Sequence, residues 1–238
     1  SGPFFVYLSY NAPHTPLTPL PSELDANAHI ADSGKRKLAA CMTGVDREVG
    51  KLLDYLEAEH LMENTLIFFF SDNGGPTDTN HSYNDPFLGF KGDVLEGGVR
   101  VPFLVSWKGR VPQNRDFHDP VFSLDYIPTI LKQQRRSIPD HLDGLPILED
   151  LQGKTSVLRE APRFFLWRSN YLACRKGDYK KIDQPGGAKS GAHEGHYDIV
   201  ENIREDDGFP PLDAAVANEL DALMDAMLDE VSDPARQD

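Results

Sequence analysis

The stretch 66-LIFFFSDNGG-75 decides the fold. Leu66 to Phe70 form an apolar, aromatic run of strand length, and Leu66 to Ser71 reads as a buried strand. At Ser71 the chain turns polar, and Gly74-Gly75 permit a sharp backbone turn at the strand's end. Upstream, Leu38, Met42, Val45, Val49, Leu52, Leu53 and Leu56 recur at helical spacing. They predict a long helix over Ser33 to His60 with Ser33 as its N-cap. Earlier still, Phe4 to Ser9 reads as a buried strand bounded by Pro3 and Asn11-Ala12-Pro13. The loop holding Pro13, Pro16, Pro19 and Pro21 is barred from helix by its prolines. Strand, helix, strand is a βαβ unit, which predicts an α/β protein with a mostly parallel sheet, flanking helices and a right-handed crossover.

Downstream, Val101 to Trp107 reads as a third strand and Ser123 to Leu131 as a short helix interrupted by Pro128. Arg163 to Arg168, Tyr171 to Arg175 and Asp178 to Ile182 are short strands separated by turn signals, which predicts a small C-terminal antiparallel sheet. Gln184 to Gly195 reads as a Gly-rich loop, and Leu212 to Val231 as a terminal amphipathic helix with a frayed tail. The expected division is a core domain over 1–160 and a small sheet-and-helix subdomain over 161–238.

Composition narrows the function. Among 238 residues, 24 Lys+Arg stand against 38 Asp+Glu, a formal net charge of −14. No basic stripe is available for a phosphate backbone, so nucleic acid is excluded as a partner. No apolar run has the length of a membrane helix. Cys41 falls on the helix's apolar side and Cys174 in a strand; both read as buried small hydrophobes, too few for a disulfide scaffold or a zinc knuckle. No signal peptide is visible, and Ser1-Gly2-Pro3 runs straight into FFVYLSY, which reads as an internal strand rather than a natural start.

In an open α/β sheet, ligands gather outside the carboxyl ends of the strands. If the first two strands are neighbours, His14, Asp72 and Asn73 share one edge of the sheet. Asp72-Asn73 offers one charged and one neutral oxygen, a pair suited to Ca²⁺ or Mg²⁺ rather than zinc; it is equally good turn chemistry. His14, between prolines, is either a general acid or a solvated loop residue. Lys91, in Gly89-Phe90-Lys91-Gly92, is either an anion-binding point charge or solvent-facing. Glu96 and Arg100 read as a structural ion pair.

FFVYLSYNAPHTP, FFFSDNGG, GFKGDVLEGGVRVPFLVSWKG, SLDYIPTIL, LDGLPILEDLQGK and FFLWR occur in one order. Together, over roughly residues 3–210, they resemble the formylglycine-dependent sulfatases of the alkaline-phosphatase-like superfamily. The resemblance implies a sulfuric ester hydrolase. It assigns Asp72 and Asn73 to a Ca²⁺ site, Mg²⁺ being the lesser alternative, Lys91 to the sulfate, and His14 to the sulfate and leaving-group side. HYDIVENIREDDGFP, over 196–210, matches a C-terminal family segment more loosely.

The departures carry their own expectation. Neither the family's Asp-Asp strand nor C/S-x-P-S-R, whose Cys or Ser becomes the formylglycine nucleophile, is present in these residues. The chain therefore reads as the C-terminal portion of a sulfatase, catalytically dead alone, with the N-terminal segment as an implied partner. The substrate is a small-molecule or glycan sulfate ester, and family habit implies a periplasmic, secreted or lysosomal setting. Two alternatives stand beside it. A phosphatase or phosphodiesterase of the same superfamily resembles D-H-G where this chain has Asp72-Asn73-Gly74, so Asn73 favours the sulfatase. A non-catalytic remnant that binds anions is the other.

Overall fold

A computed structural model describes residues 2–167, 171–183 and 194–232. The chain divides into two compact units, Ser1–Glu63 with Gly75–Tyr83, and Asn64–Gly74 with Asn84–Asp238. The expected domain boundary at 160 lies inside the second.

The first unit is built on helices. Pro21 opens helix α1 (Pro21–Ala26), where its missing N–H has no intrahelical partner to lose. Helix α2 spans Ser33–Ala58, close to the expected 33–60. Its N-cap is Asp32 rather than Ser33: the Asp32 carboxylate accepts the Lys35 N–H at 2.8 Å. A capping oxygen satisfies the N–H two or three residues on, and Asp32 stands at that offset, one residue before the helix. The two helices meet closely at Gly44, where a Cβ would lie 2.7 Å from Glu23 Oε1. Glu23 also pairs with Arg47 at 2.6 Å. Cys41 is buried on α2, as expected. Short helix α3 (Thr77–Asn80) completes the unit.

Phe4 to Ser9 differs from expectation. The segment forms no strand, and Phe4 to Leu8 are 50% to 69% exposed. Apolar residues supply a reason to be buried, but a strand exists only where a neighbouring backbone takes up its N–H and C=O groups. Among the described residues none does so here.

In the second unit, strand β1 (Ile67–Phe70) pairs with β2 (Phe103–Ser106). The pair is antiparallel, with Ile67 opposite Ser106 and Phe70 opposite Phe103. The expected parallel pairing is not seen among the described residues. The physical reason is that an apolar run encodes burial, not direction. Phe70 and Phe103 stack at 5.0 Å, and Tyr126 covers the same face. Tyr126 begins helix α5 (Tyr126–Gln133), which follows short helix α4 (Glu96–Val99) in the chain. Pro128 does not interrupt α5, because it sits in the first turn, where its N–H is dispensable. Helices α6 (Leu148–Leu151) and α7 (Val157–Glu160) follow. Asp125 anchors this region: Arg163 clamps it with two bonds of 3.0 and 3.1 Å, and it accepts the N–H groups of Phe122 and Leu145.

The small C-terminal antiparallel sheet is present. Strands β3 (Arg163–Trp167), β4 (Tyr171–Lys176), β5 (Tyr179–Asp183) and β6 (Gly195–Asp198) pair in that order. The two-residue alternation of β4 builds a core on each face. Leu172 and Cys174 pack against Leu220 and Met224 of helix α8 (Ala214–Ser232). Ala173 turns the other way, onto Val94, Leu95 and Ile182. The Gly-rich loop 184–193 and the tail 233–238 lie outside the described residues. No helix among the described residues is long and apolar enough to cross a membrane.

Candidate functional site

The polar turn after β1 is locked by backbone contact. Ser71 N–H donates to Pro102 O at 3.2 Å and Gly74 N–H to Gly98 O at 2.8 Å. A Cβ at Gly74 would lie 1.8 Å from Gly97 O, so no other residue fits. Gly97 in turn donates its N–H to Leu88 O at 2.8 Å, which ties in the next loop. Asn73 Nδ2 donates to Gly74 O at 3.2 Å, and Asn73 Oδ1 is an acceptor without a partner among the described residues. Asp72 is exposed and has no hydrogen bond or ion pair among the described residues.

Lys91 sits at the tip of a second turn on this glycine scaffold. Asp93 N–H closes the turn onto Phe90 O at 2.9 Å, and Asp93 Oδ2 accepts the Phe90 N–H at 3.1 Å. Gly92 has φ +96, the sign that the third position of a type II turn demands. The Lys91 side chain is half-buried and has no acidic partner among the described residues. The structure thus brings the Asp72-Asn73 turn and the Lys91 turn together on one set of interlocked glycines. His14 belongs to the first unit. It is exposed, and its Nδ1 donates to Thr15 O at 2.7 Å. A carbonyl only accepts, so Nδ1 carries the proton and Nε2 is left to act.

Beneath the scaffold lies a charged core that the sequence did not reveal. Glu96 and Arg100 do pair, at 3.6 Å, but Glu96 is shared. Lys180, fully buried, reaches Glu96 at 2.9 Å and Glu205 at 2.7 Å, and Arg175 approaches Glu96 at 3.5 Å. Glu205 Oε2 also accepts the Glu96 N–H at 2.7 Å. Burial opposes ionisation of Glu96, yet Lys180 and then Arg175 hold its carboxyl below the ordinary range. Burial lifts the Glu205 carboxyl, against the pull of Lys180. Lys180 was hidden because a Lys is ordinarily solvent-facing; in β5 it shares the buried face with Ile182, two residues on, which carries it to Glu96.

As oxygen donors, Asp72 and Asn73 Oδ1 fit a hard cation such as Ca²⁺. They fit as part of a shell, since Ca²⁺ takes about six to eight oxygens. No group of three or more His, Cys, Asp or Glu able to hold a metal occurs among the described residues.

Comparison with known proteins adds a frame. A family model described as Sulfatase matches residues 1–134, which contain His14, Asp72, Asn73 and Lys91. An uncharacterized sulfatase, YdeN, of Escherichia coli strain K12 is 31% identical over 71% of this chain and 30% of its own length. The N-acetylgalactosamine-6-sulfatase of Canis lupus familiaris is 30% identical over 75% of this chain and 34% of its own. Among solved structures, Ps i-CgsB in complex with k-i-k-neocarrahexaose superposes with a TM-score of 0.81 at 31% identity, covering 96% of this chain and 49% of that one. The chain spans about a third of the length of these curated relatives.

Proposed function

The chain belongs to the sulfatase family, and from that premise we propose that the protein hydrolyses the sulfate esters of a glycan. The observation that carries the reading is the placement of two charges without a partner among the described residues, Asp72 and Lys91, on turns locked to the same glycine backbone. An ammonium without a carboxylate partner is an attractor for a tetrahedral oxyanion. In this reading Lys91 holds the sulfate oxygens and offsets the charge that develops on them. His14, with Nδ1–H donated to Thr15 O, would serve the departing oxygen in its imidazolium form, donating the Nε2 proton to it. Asp72 and Asn73 would supply two ligands to Ca²⁺, which when bound polarises the sulfate. Asn73, a neutral oxygen donor, suits such a cation better than the His of a phosphatase-type site. The named relatives are sulfatases, and one solved neighbour is named with a carrageenan oligosaccharide, which supports a glycan as the alcohol. The mostly parallel sheet of the whole alkaline-phosphatase-like fold and a place outside the cytosol are parts of the same proposal.

The nucleophile motif C/S-x-P-S-R does not occur in the 238 residues, so turnover is assigned to the whole polypeptide and anion binding to this chain. The test uses the protein expressed from its gene with the sequence that naturally flanks these residues. Lys91→Ala should lower kcat/KM on a sulfated oligosaccharide by about 10²-fold or more. Asp72→Ala should remove Ca²⁺ binding measured by calorimetry. Undiminished turnover in Lys91→Ala, or undiminished Ca²⁺ affinity in Asp72→Ala, would refute the assignment of that residue.

A further inference from the structure

The antiparallel pairing of β1 and β2 has a geometric consequence. Asp72 follows the end of β1, next to the Phe70–Phe103 pair, whereas Trp107 follows the end of β2, next to the Ile67–Ser106 pair. The two chain segments leave the sheet at opposite edges, separated by the length of a strand, about 10 Å. At the Trp107 edge lies an open groove of about 740 Å³. Its chemistry comes from Trp107, Arg110, Gln113, Gln133, Gln152 and Lys154.

We infer that this groove is a second glycan-binding site, for a sulfated oligosaccharide, apart from the site of hydrolysis. The lining holds two cations and no carboxylate, in a protein whose formal net charge is −14. A local positive patch on so acidic a chain selects an anion rather than a cation. Three glutamine amides line the same groove, each a donor and an acceptor, as sugar hydroxyls require. An indole gives the apolar surface on which the C–H face of a pyranose packs. The wall is held in place. Arg110 and Val111 donate their N–H groups to Trp107 O at 2.9 and 3.0 Å, Gly109 turns the chain with φ +74, and Gln152 Nε2 donates to Arg110 O at 2.9 Å. The Arg110 guanidinium lies over one face of the Trp107 ring, 4.5 Å from its centroid, so that face is taken by the cation and a pyranose has the rest of the indole to pack on, beside the charge. The groove draws on three separated stretches, 107–113, 133 and 152–154. It makes no use of Asp72, Asn73 or Lys91, so binding there goes beyond the proposed hydrolysis and survives its failure.

The test is calorimetric titration of the full chain, without turnover, using a sulfated galactan hexasaccharide, its desulfated counterpart and inorganic sulfate. Binding of the sulfated hexasaccharide should weaken about tenfold or more in Arg110→Ala/Lys154→Ala, the scale of lost charge-assisted hydrogen bonds. It should weaken in Trp107→Phe by less, and persist in Lys91→Ala. The desulfated sugar should bind more weakly than the sulfated one, and inorganic sulfate more weakly still. Arg110 and Lys154 are exposed, so unchanged thermal unfolding of the double variant verifies its fold. The inference is overturned if the sulfated sugar does not bind, if the double variant binds as the parent does, or if Lys91→Ala alone abolishes binding. Loss of turnover in Lys91→Ala with this binding intact would uphold both sites separately.

Discussion

Lys180 has no exposed surface, yet it carries an ammonium between two buried carboxylates, Glu96 and Glu205. Such a group is tolerated because each charge is met by another at hydrogen-bond distance. Its position explains why it matters to the candidate site. Glu96 opens the short helix whose Gly97 and Gly98 lock the Asp72-Asn73 turn, so the ion cluster fixes the floor on which that turn stands. Replacing Lys180 by Met strips Glu205 of its ion-pair partner and leaves Glu96 only the longer contacts to Arg175 and Arg100, at 3.5 and 3.6 Å. The expected cost is about 3–5 kcal/mol in urea unfolding near neutral pH. The loss should shrink as pH falls, because protonation removes the uncompensated charge. Adding Glu96→Gln and Glu205→Gln to Lys180→Met should recover much of it. A loss under about 1 kcal/mol for Lys180→Met would show that the cluster carries little. At this scale the sequence spoke unevenly. Asp72, Asn73 and Lys91 were visible because glycines surround them; Lys180 and Glu205 were not, since a contact across so many residues of chain leaves no local pattern.

Strand β4 shows what an element adds to its residues. Leu172 and Cys174 face α8 while Ala173 faces Val94 and Leu95, so one strand joins both cores. Burial, with Glu219 adding to it, pushes the Cys174 thiol up to about 12. Burial likewise pushes the Tyr197 hydroxyl to about 12, with Asp207 and Glu205 adding to it. In the unfolded chain the same groups ionise near 9.0 and 10.0. Between those values and 12 the unfolded chain binds fewer protons than the folded one, so stability falls as pH rises. Below about pH 9 the contribution is fully present. The urea midpoint should therefore drop between about pH 9 and about pH 12, and drop less steeply in Cys174→Ala. Equal slopes in the two proteins would mean that this thiol is not held neutral by the α8 interface. Element existence was legible here and in α2, where periodicity is long and regular. Direction was not: the run at 67–70 is apolar throughout, and its antiparallel partner at 103–106 gives no sign of the sense in which it runs. The Trp107 groove escaped notice for a related reason, since three stretches must first be folded before their side chains share a wall.

For the molecule as a whole, the net charge and the exposed segment Phe4 to Leu8 pull in opposite directions. A formal charge of −14 makes copies of the chain repel one another, which favours solubility. Phe4, Phe5, Val6, Tyr7 and Leu8 expose half or more of their surface in consecutive positions, and none of their backbone groups is paired among the described residues. An apolar segment with unpaired backbone groups is a template for edge-to-edge association. Repulsion between surface charges decays over the Debye length, about 10 Å at 0.1 M salt and about 3 Å at 1 M, whereas apolar association is not screened. Salt therefore decides which term wins. Sedimentation velocity should find the chain monomeric at low ionic strength and increasingly associated as NaCl is raised toward about 1 M. Phe5→Ser/Tyr7→Ser should keep it monomeric across the series, because both side chains are exposed and their loss opens no cavity. A salt-independent mass, or association undiminished in the double variant, would place the sticky surface elsewhere. Within the chain the segment stays unpaired for a separate reason: the pattern that promised a buried strand at 4–9 is a property of the side chains, and the pairing that would make it one is a property of its neighbours.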